Sequence, residues 1–113
     1  MINVDQLSLK GYSIAMKYEL QSLPLYEKWF AKLKDSSVKI KILARLARVE
    51  NGNFGDFKQL KEDLFELRLF FGSGLRIYYT VQDDRVVLLL AGGDKSSQSK
   101  DIEKAIKLLN ELA

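Results

Sequence analysis

Residues 64–95 carry the pattern that most restricts the fold, because apolar and polar side chains alternate along two neighbouring segments. The first segment alternates Phe65, Leu67, Leu69 and Phe71 against Leu64, Glu66, Arg68 and Phe70, and the second alternates Leu75, Ile77, Tyr79 and Val81 against Arg76, Tyr78 and Thr80. A period of two residues is typical of a β-strand with one buried face. The segments therefore predict an antiparallel hairpin with one apolar face and one charged face.

The connection between the two strands determines which residues face each other. A two-residue turn at Gly72-Ser73 would pair Leu69 with Arg76 and mix the two faces. A three-residue loop at 71–73 gives the pairs Leu69 with Leu75, Leu67 with Ile77, and Phe65 with Tyr79. This register predicts that Arg68 lies opposite Arg76. Like charges in that position destabilise a sheet by up to about 1 kcal/mol, so the chain must either neutralise the pair or use it.

A third strand is predicted at residues 85–93, after a turn at Asp83-Asp84. The expected pairs are Val81 with Val86, Tyr79 with Leu88, Ile77 with Leu90, and Arg76 with Ala91. Alternation through Gly93 places Lys95 on the Arg76 side, just before a helix capped by Ser96 or Ser97, whose N-terminus adds partial positive charge. We expect Arg68, Arg76 and Lys95 to form a cationic face for an anionic partner; the alternative is a surface salt-bridge cluster with Glu66.

The segments before the hairpin predict one strand and two helices. Residues 1–11 form a short extension, and residues 12–21 read as a first strand that turns Ile14, Met16 and Tyr18, or the alternate set with Ala15, to the core. Pro24 suits the first position of a helix. The predicted buried stripe of that helix is Leu25, Tyr26, Trp29, Phe30 and Leu33, which assigns Trp29 to the core.

A second helix is expected after the cap Asp35-Ser36-Ser37. Its apolar positions at helical spacing are Val38, Ile42, Leu43, Leu46, Ala47 and Val49, and its outer face carries Lys39, Lys41, Arg45 and Arg48. The two helices form an αα-hairpin that ends at Asn51-Gly52-Asn53, with Gly52 as the left-handed residue.

Two further elements complete the expected domain. Residues 57–60 predict a short edge strand. A last helix turns Ile102, Ala105, Ile106, Leu109 and Leu112 to the core. The prediction is a single α+β domain over residues 1–113, with an N-terminal strand, an αα-hairpin, an antiparallel meander and a C-terminal helix.

The residue types that are missing from the chain restrict its possible chemistry more than its net charge does. The chain has no cysteine and no histidine, which excludes disulfides, thiolate or imidazole catalysis and zinc sites of the usual kind. A formal charge of +3 permits nucleic-acid binding without requiring it. No signal-peptide pattern is present, and no apolar run approaches the roughly 18 residues that span a bilayer, so we expect a cytoplasmic protein without a membrane partner.

Four segments resemble the RelE-like superfamily of bacterial toxins, in its HigB branch, which includes phage-derived Gp49-like proteins. They are KWFAKLKD (28–35), ILARLARVENGNFGDFKQL (42–60), LFELRLFFGSGLRIYY (64–79) and VVLLLAGGDKSSQSKDIEKA (86–105). The order NFGD, ELR, GLRIYY and GGDKS is more specific than any one short motif.

The resemblance implies the toxin of a type II toxin–antitoxin module, which binds the ribosomal A site and cleaves messenger RNA there without a cofactor. The implied partners are a helix-turn-helix antitoxin of the HigA type, the ribosome with its message, and operator DNA through the antitoxin complex. Two alternatives stay open. One is a non-enzymatic toxin of the ParE kind that poisons DNA gyrase, and the other is an inactive member that only binds its antitoxin.

Motif matching places the catalytic residues of the family on Arg68, Arg76 and Lys95. We expect Arg76 to stabilise the transition state, Arg68 to hold phosphate, Lys95 to supply proton transfer or charge, and Glu66 to act as base or as a structural partner. This chain has Glu66 where relatives have lysine, and Ile102 near a position that is aromatic in relatives. Base stacking would then fall to Tyr78, Phe70 or the ribosome. Further contacts to the RNA backbone are expected from Lys58, Lys61, Arg45 and Arg48, for which a solvated face is the alternative.

Overall fold

The computed structural model describes residues 17–113 and consists of a five-stranded sheet with helices on both faces. In chain order the elements are β1 (Glu19–Ser22), α1 (Pro24–Lys32), α2 (Ser36–Glu50), β2 (Phe57–Lys61), β3 (Leu64–Arg68), β4 (Arg76–Gln82), β5 (Val86–Gly93), a 3₁₀ turn (Lys95–Ser97) and α3 (Gln98–Leu112). The strand order across the sheet is β1-β5-β4-β3-β2. The α+β class and the order of elements are as predicted.

The β3–β4 hairpin has the register that the alternation predicts. Phe65 faces Tyr79, Leu67 faces Ile77 and Arg68 faces Arg76. The Leu69 amide donates to the Leu75 carbonyl, which extends the same pairing to the edge of the loop. The two-residue turn at Gly72-Ser73 is therefore excluded.

The predicted register between β4 and β5 is wrong. The turn does lie at Asp83 and Asp84, both with φ of 54°, but Val81 faces Val87, not Val86, and Tyr79 faces Leu89, not Leu88. An irregularity between Tyr78 and Tyr79 then shifts the pairing again. Ile77 consequently faces Gly92 instead of Leu90, and Arg76 faces Gly93 instead of Ala91. The apolar run VVLLLA has no alternation that could set its register, which explains the error.

The two edge strands are short, and they lie at opposite ends of the sheet. Strand β1 pairs in parallel with β5 from Glu19 opposite Val86 onward. It begins there because β5 itself begins at Val86, after the turn. Only the last three residues of the predicted strand at 12–21 are thus in a strand, while residues 12–16, with Ile14, Ala15 and Met16, lie outside the described part of the chain. Strand β2 pairs with β3 and forms the other edge, as predicted.

Helices α1 and α2 bury the apolar face of the hairpin. The core on this side consists of Tyr26, Ile42, Leu46, Val49, Leu67, Leu69, Leu75, Ile77, Tyr79, Val87 and Leu89. Asp35 caps α2 by accepting from the Ser37 amide, and Gly52 has φ of 89° after the helix end. Trp29 packs against the same core, as predicted. Leu43 is 55% exposed and Ala47 is exposed, so these two positions of the apolar helical pattern lie on the outer side of α2 and not in the core.

Helix α3 covers the opposite face of the sheet. Ala105 is fully buried there, and Ile102, Ile106 and Leu109 pack against Leu64, Tyr78, Leu88 and Leu90. Leu112 is 48% exposed, so the predicted stripe ends before it. Ser97, one of the two predicted candidates, is the N-cap residue of α3. In residues 17–113 no helix has the length and apolar character needed to cross a bilayer.

Candidate functional site

The charged face of the hairpin lies just beyond the N-terminus of α3, where the helix stops covering the sheet. Arg68 and Arg76 are directly opposed on β3 and β4, and Lys95 follows the end of β5. All three line one cleft of about 330 Å³, together with the hairpin loop. The structure therefore brings together the three cations that the sequence placed on one face.

A single buried carboxylate lies under the two guanidinium groups. Glu66 is 0% exposed, and its Oε1 lies 3.1 Å from Nε of Arg68, while its Oε2 lies 3.5 Å from Nε of Arg76. Nε2 of Gln98, in the first turn of α3, donates to the same Oε2 at 2.8 Å. The salt-bridge cluster with Glu66, which the sequence offered as the alternative, is therefore present for Arg68 and Arg76, but its carboxylate is buried and does not lie at the surface. Both carboxylate oxygens are engaged, so Glu66 holds the arginines from beneath.

The cleft keeps an excess of positive charge. Among its lining residues Arg68, Arg76 and Lys95 carry three positive charges, and Glu66 beneath them carries one negative charge. Glu66 contacts each guanidinium through Nε, and within residues 17–113 the terminal nitrogens of Arg68 make no hydrogen bond to protein. Arg68 is 38% exposed in its side chain. Forked N–H groups left in this way match phosphate oxygens.

Gly74 lets Arg76 and Lys95 approach each other. It has φ of +75°, a conformation that L side chains rarely adopt, and its carbonyl accepts from Nη1 of Arg76 at 2.6 Å. A Cβ atom at this position would lie 3.3 Å from Cβ of Lys95 and 3.4 Å from Nη1 of Arg76. The glycine in the GLR segment is therefore a positional requirement of the cleft.

Tyr78 cannot act as the base-stacking residue that the sequence suggested. Its side chain is 0% exposed, beneath α3. Its hydroxyl has no hydrogen-bond partner in the described residues, and burial, followed by the nearby carboxylates of Glu66 and Asp101, raises the pKa of the phenol. The alternation of β4 correctly placed Tyr78 on the Arg76 face, but it could not show that α3 covers that part of the face.

Arg45 is a structural residue, which corrects its predicted role in RNA contact. Its guanidinium donates to the carbonyl oxygens of Arg68 at 3.0 Å, Phe54 at 2.8 Å and Asp56 at 3.1 Å. These bonds tie α2 to the segment before β2 and to the end of β3. By contrast, Arg48, Lys58 and Lys61 are exposed, and Lys58 faces Glu66 across the β2–β3 pair.

Two residues of the site were missed from the sequence, Gln98 and Gly74, which support the charged groups. Phe70, which the sequence offered as a candidate for base stacking, is 85% exposed and lines the cleft. Gln98 gives no local signal, since its contact with Glu66 spans 32 positions of the chain.

Comparison with known proteins identifies the family. Residues 28–111 match the family described as phage-derived protein Gp49-like, which is most of the chain. The chain belongs to the Gp49-like family. An uncharacterized protein of Haemophilus influenzae is 43% identical over 97 residues, which cover 86% of this chain and 98% of that protein.

Solved structures place this Gp49-like protein in the RelE-like superfamily of toxins. A double arginine mutant of E. coli toxin RelE in the free state superposes with a TM-score of 0.66 at 25% identity, over 81% of this chain and 97% of that chain. The isolated E. coli RelE toxin gives 0.57 at 25% identity, over 77% and 97%. The intact E. coli RelBE toxin–antitoxin complex gives 0.53 at 24% identity, over 68% and 95%. The RelE-like fold expected from the motifs is confirmed.

Proposed function

We propose that this protein is the toxin of a type II toxin–antitoxin module and that it cleaves messenger RNA on the ribosome. The observation that carries the proposal is the cleft in which Arg68, Arg76 and Lys95 meet above one buried carboxylate. Such a cleft suits a phosphodiester, because cations and forked N–H groups stabilise the charge that grows on its oxygens. The RelE-like fold supports the same class of function.

The proposed reaction is attack by the 2′-hydroxyl of the RNA on its own phosphate. A bond forms between O2′ and phosphorus, and the bond from phosphorus to O5′ breaks. The proton of the 2′-hydroxyl leaves to water, and a proton from Lys95 or from water reaches the departing O5′. The products are a 2′,3′-cyclic phosphate and a 5′-hydroxyl. The RNA supplies the nucleophile, so the protein needs only to position the strand, stabilise charge and move protons.

Within this reaction the two arginines have related roles. Arg76, whose Nη1 is fixed by the Gly74 carbonyl, offsets charge on the phosphorane. Arg68, which is more exposed, binds the phosphate in the ground state. Lys95, which is exposed at the mouth of the cleft, donates the proton to O5′ or adds charge.

Glu66 acts in this proposal as a positioning residue rather than as the general base. Its carboxylate is fully buried and already accepts from Arg68 and Gln98. A base must reach the 2′-hydroxyl within hydrogen-bond distance, and an engaged carboxylate beneath two guanidinium groups is poorly placed for that. Its contribution is to hold both arginines at Nε, which leaves the two terminal nitrogens of Arg68 and Nη2 of Arg76 for phosphate.

The proposed partners are those that the toxin of a type II toxin–antitoxin module requires. An antitoxin neutralises the protein, as is supported by the solved complexes of RelE with RelB. We propose a helix-turn-helix antitoxin of the HigA type, which would also bring the pair to operator DNA. The ribosome, and with it the cytoplasm, is the proposed site of action.

Primer extension on a message in a translation extract tests this function. Added wild-type protein should produce new 5′ ends within the translated region, and these ends of the downstream fragments should carry 5′-hydroxyl groups. Arg76→Ala should produce none, while Arg85→Ala, an exposed cation at the far end of β4 and β5, should act as wild type. Fragments with 5′-phosphate would contradict the 2′-hydroxyl mechanism. Inhibition of gyrase without RNA cleavage would favour the ParE-like alternative.

A further inference from the structure

Phe70 is an aromatic side chain that the fold leaves uncovered. It is 85% exposed, more than any other large apolar residue in the described chain. Its position explains the exposure, because the alternation of β3 turns Leu69 into the core and Phe70 to the opposite face, which α3 does not reach. A single exposed apolar residue needs no explanation, so the surroundings of Phe70 decide whether it has a function.

Phe70 lies between two clefts that share its side chain. On one side is the cleft of Arg68, Arg76 and Lys95, of about 330 Å³. On the other side is a second cleft of about 250 Å³, whose charged lining residues are Arg45, Arg48, again Arg68, and the one carboxylate Asp56. Arg45 is held by backbone carbonyls, which leaves Arg48, exposed on α2, as the available cation of that second cleft.

The other exposed phenylalanine has a different environment. Phe57, 48% exposed on β2, has its ring 5.9 Å from the ring of Phe54, so it extends an aromatic cluster. Phe71, next to Phe70, is partly buried and has Nζ of Lys41 over its ring at 5.6 Å. In residues 17–113 no ring or cation is paired with Phe70 in this way. Its two π faces are thus open, with arginine side chains on either side.

We propose that Phe70 stacks on a base of single-stranded RNA and that the strand crosses the β3–β4 loop from one cleft to the other. The phosphate on one side of that nucleotide would lie at Arg68, Arg76 and Lys95, and the phosphate on the other side at Arg48. This inference rests on the proposed function and adds to it a base platform and a second phosphate subsite. Because every base has a π face, the platform supports binding with little base preference.

The test compares Phe70→Ala with Phe70→Trp and with the matched control Phe57→Ala. In the translation extract, Phe70→Ala should need about tenfold more protein for half-maximal cleavage, since stacking of one base contributes roughly this factor or more. Its cleavage should return at high concentration, unlike that of Arg76→Ala. Phe70→Trp, which keeps an aromatic face, should need less protein than Phe70→Ala, and Phe57→Ala should be unchanged. Arg48→Ala should show the same kind of shift as Phe70→Ala.

A second measurement follows RNA binding directly and does not depend on cleavage. Tryptophan emission of Phe70→Trp should be quenched on titration with a short 2′-O-methyl single-stranded RNA, whereas wild type, whose one tryptophan packs against the core, should change little. Wild-type cleavage with equal activity of Phe70→Ala and no quenching would overturn the inference and leave the proposed function standing. Quenching without wild-type cleavage would support the platform and refute the nuclease. If Phe70→Ala lost only antitoxin binding, Phe70 would be a protein contact and the inference would be wrong.

Discussion

The two faces of the sheet use the same strands for opposite purposes. On the face of α1 and α2, the odd-numbered residues of the hairpin form a closed apolar core. On the other face, α3 covers Leu64 and Tyr78 but stops at Gln98, and beyond it lie Arg68 and Arg76. Glu66 lies at the boundary, buried itself yet bound to the half-buried arginines. A helix that ends early can thus convert half of a sheet face from core into a charged site.

The largest effect on stability should come from the closed face. Ile42→Ala removes a fully buried side chain from α2 and should lower the free energy of unfolding by about 2–5 kcal/mol. Ile102→Ala, in a half-buried position on α3, should cost clearly less. Urea unfolding followed by circular dichroism measures both. Equal losses would show that the two faces do not differ in packing as described.

The next largest effect on stability is expected from Glu66, the buried carboxylate at the boundary between the covered and the charged part of the sheet face. Glu66→Gln removes the negative charge shared by Arg68 and Arg76, and breaking a partly buried ion pair should cost on the order of 1–3 kcal/mol. Glu62→Gln, on the exposed turn after β2, is the matched control and should be neutral within about 0.5 kcal/mol. Cleavage by Glu66→Gln, measured at a temperature where the variant is folded, should fall as well. Unchanged stability and activity would mean that Glu66 does not position the arginines.

A difference of similar size should separate two arginines of α2. Arg45→Ala loses three hydrogen bonds to backbone carbonyls and should destabilise the protein by about 1–3 kcal/mol. Arg48→Ala should stay within about 0.5 kcal/mol, because its side chain is exposed. Thermal melting of the two variants distinguishes them. If Arg48→Ala were the more destabilising of the two, the structural role given to Arg45 would be wrong.

The smallest effect at neutral pH is expected from Tyr78→Phe, within about 1 kcal/mol, because the buried hydroxyl has no hydrogen-bond partner. Burial raises the pKa of Tyr78, and also that of Tyr26 to about 12, so the folded state favours the neutral phenols. The contribution of these two phenols to the free energy of unfolding is complete below pH 10 and is lost as the pH rises above that value. Urea unfolding between pH 8 and 11 should show this loss, and Tyr78→Phe should lose less than wild type.

Among the strands, the sequence predicted the register where the side chains alternate and failed where they do not. The β3–β4 register, and with it Arg68 opposite Arg76, follows from alternation because only one loop length keeps the faces separate. Strand β5 is apolar on both faces, so neither its register nor its parallel pairing with β1 could be read from local pattern. The irregularity between Tyr78 and Tyr79 gives no sequence signal at all.

The site was predictable in its cations but not in what supports or covers them. Arg68, Arg76 and Lys95 follow from strand parity, which is a local property. The burial of Tyr78, the contact of Gln98 with Glu66 and the anchoring of Arg45 all depend on packing between distant segments. A long arginine side chain on the polar side of a helix can reach backbone carbonyls as readily as solvent, and spacing alone does not distinguish the two.

Arg76→Ala provides the most direct test of the central claim that the uncovered end of the sheet is a catalytic site. The variant should melt within a few degrees of wild type and still bind the proposed antitoxin, while losing growth inhibition when expressed alone. Loss of toxicity with the fold and antitoxin binding retained is the result that this account predicts. Full toxicity of a well-folded Arg76→Ala protein would contradict it.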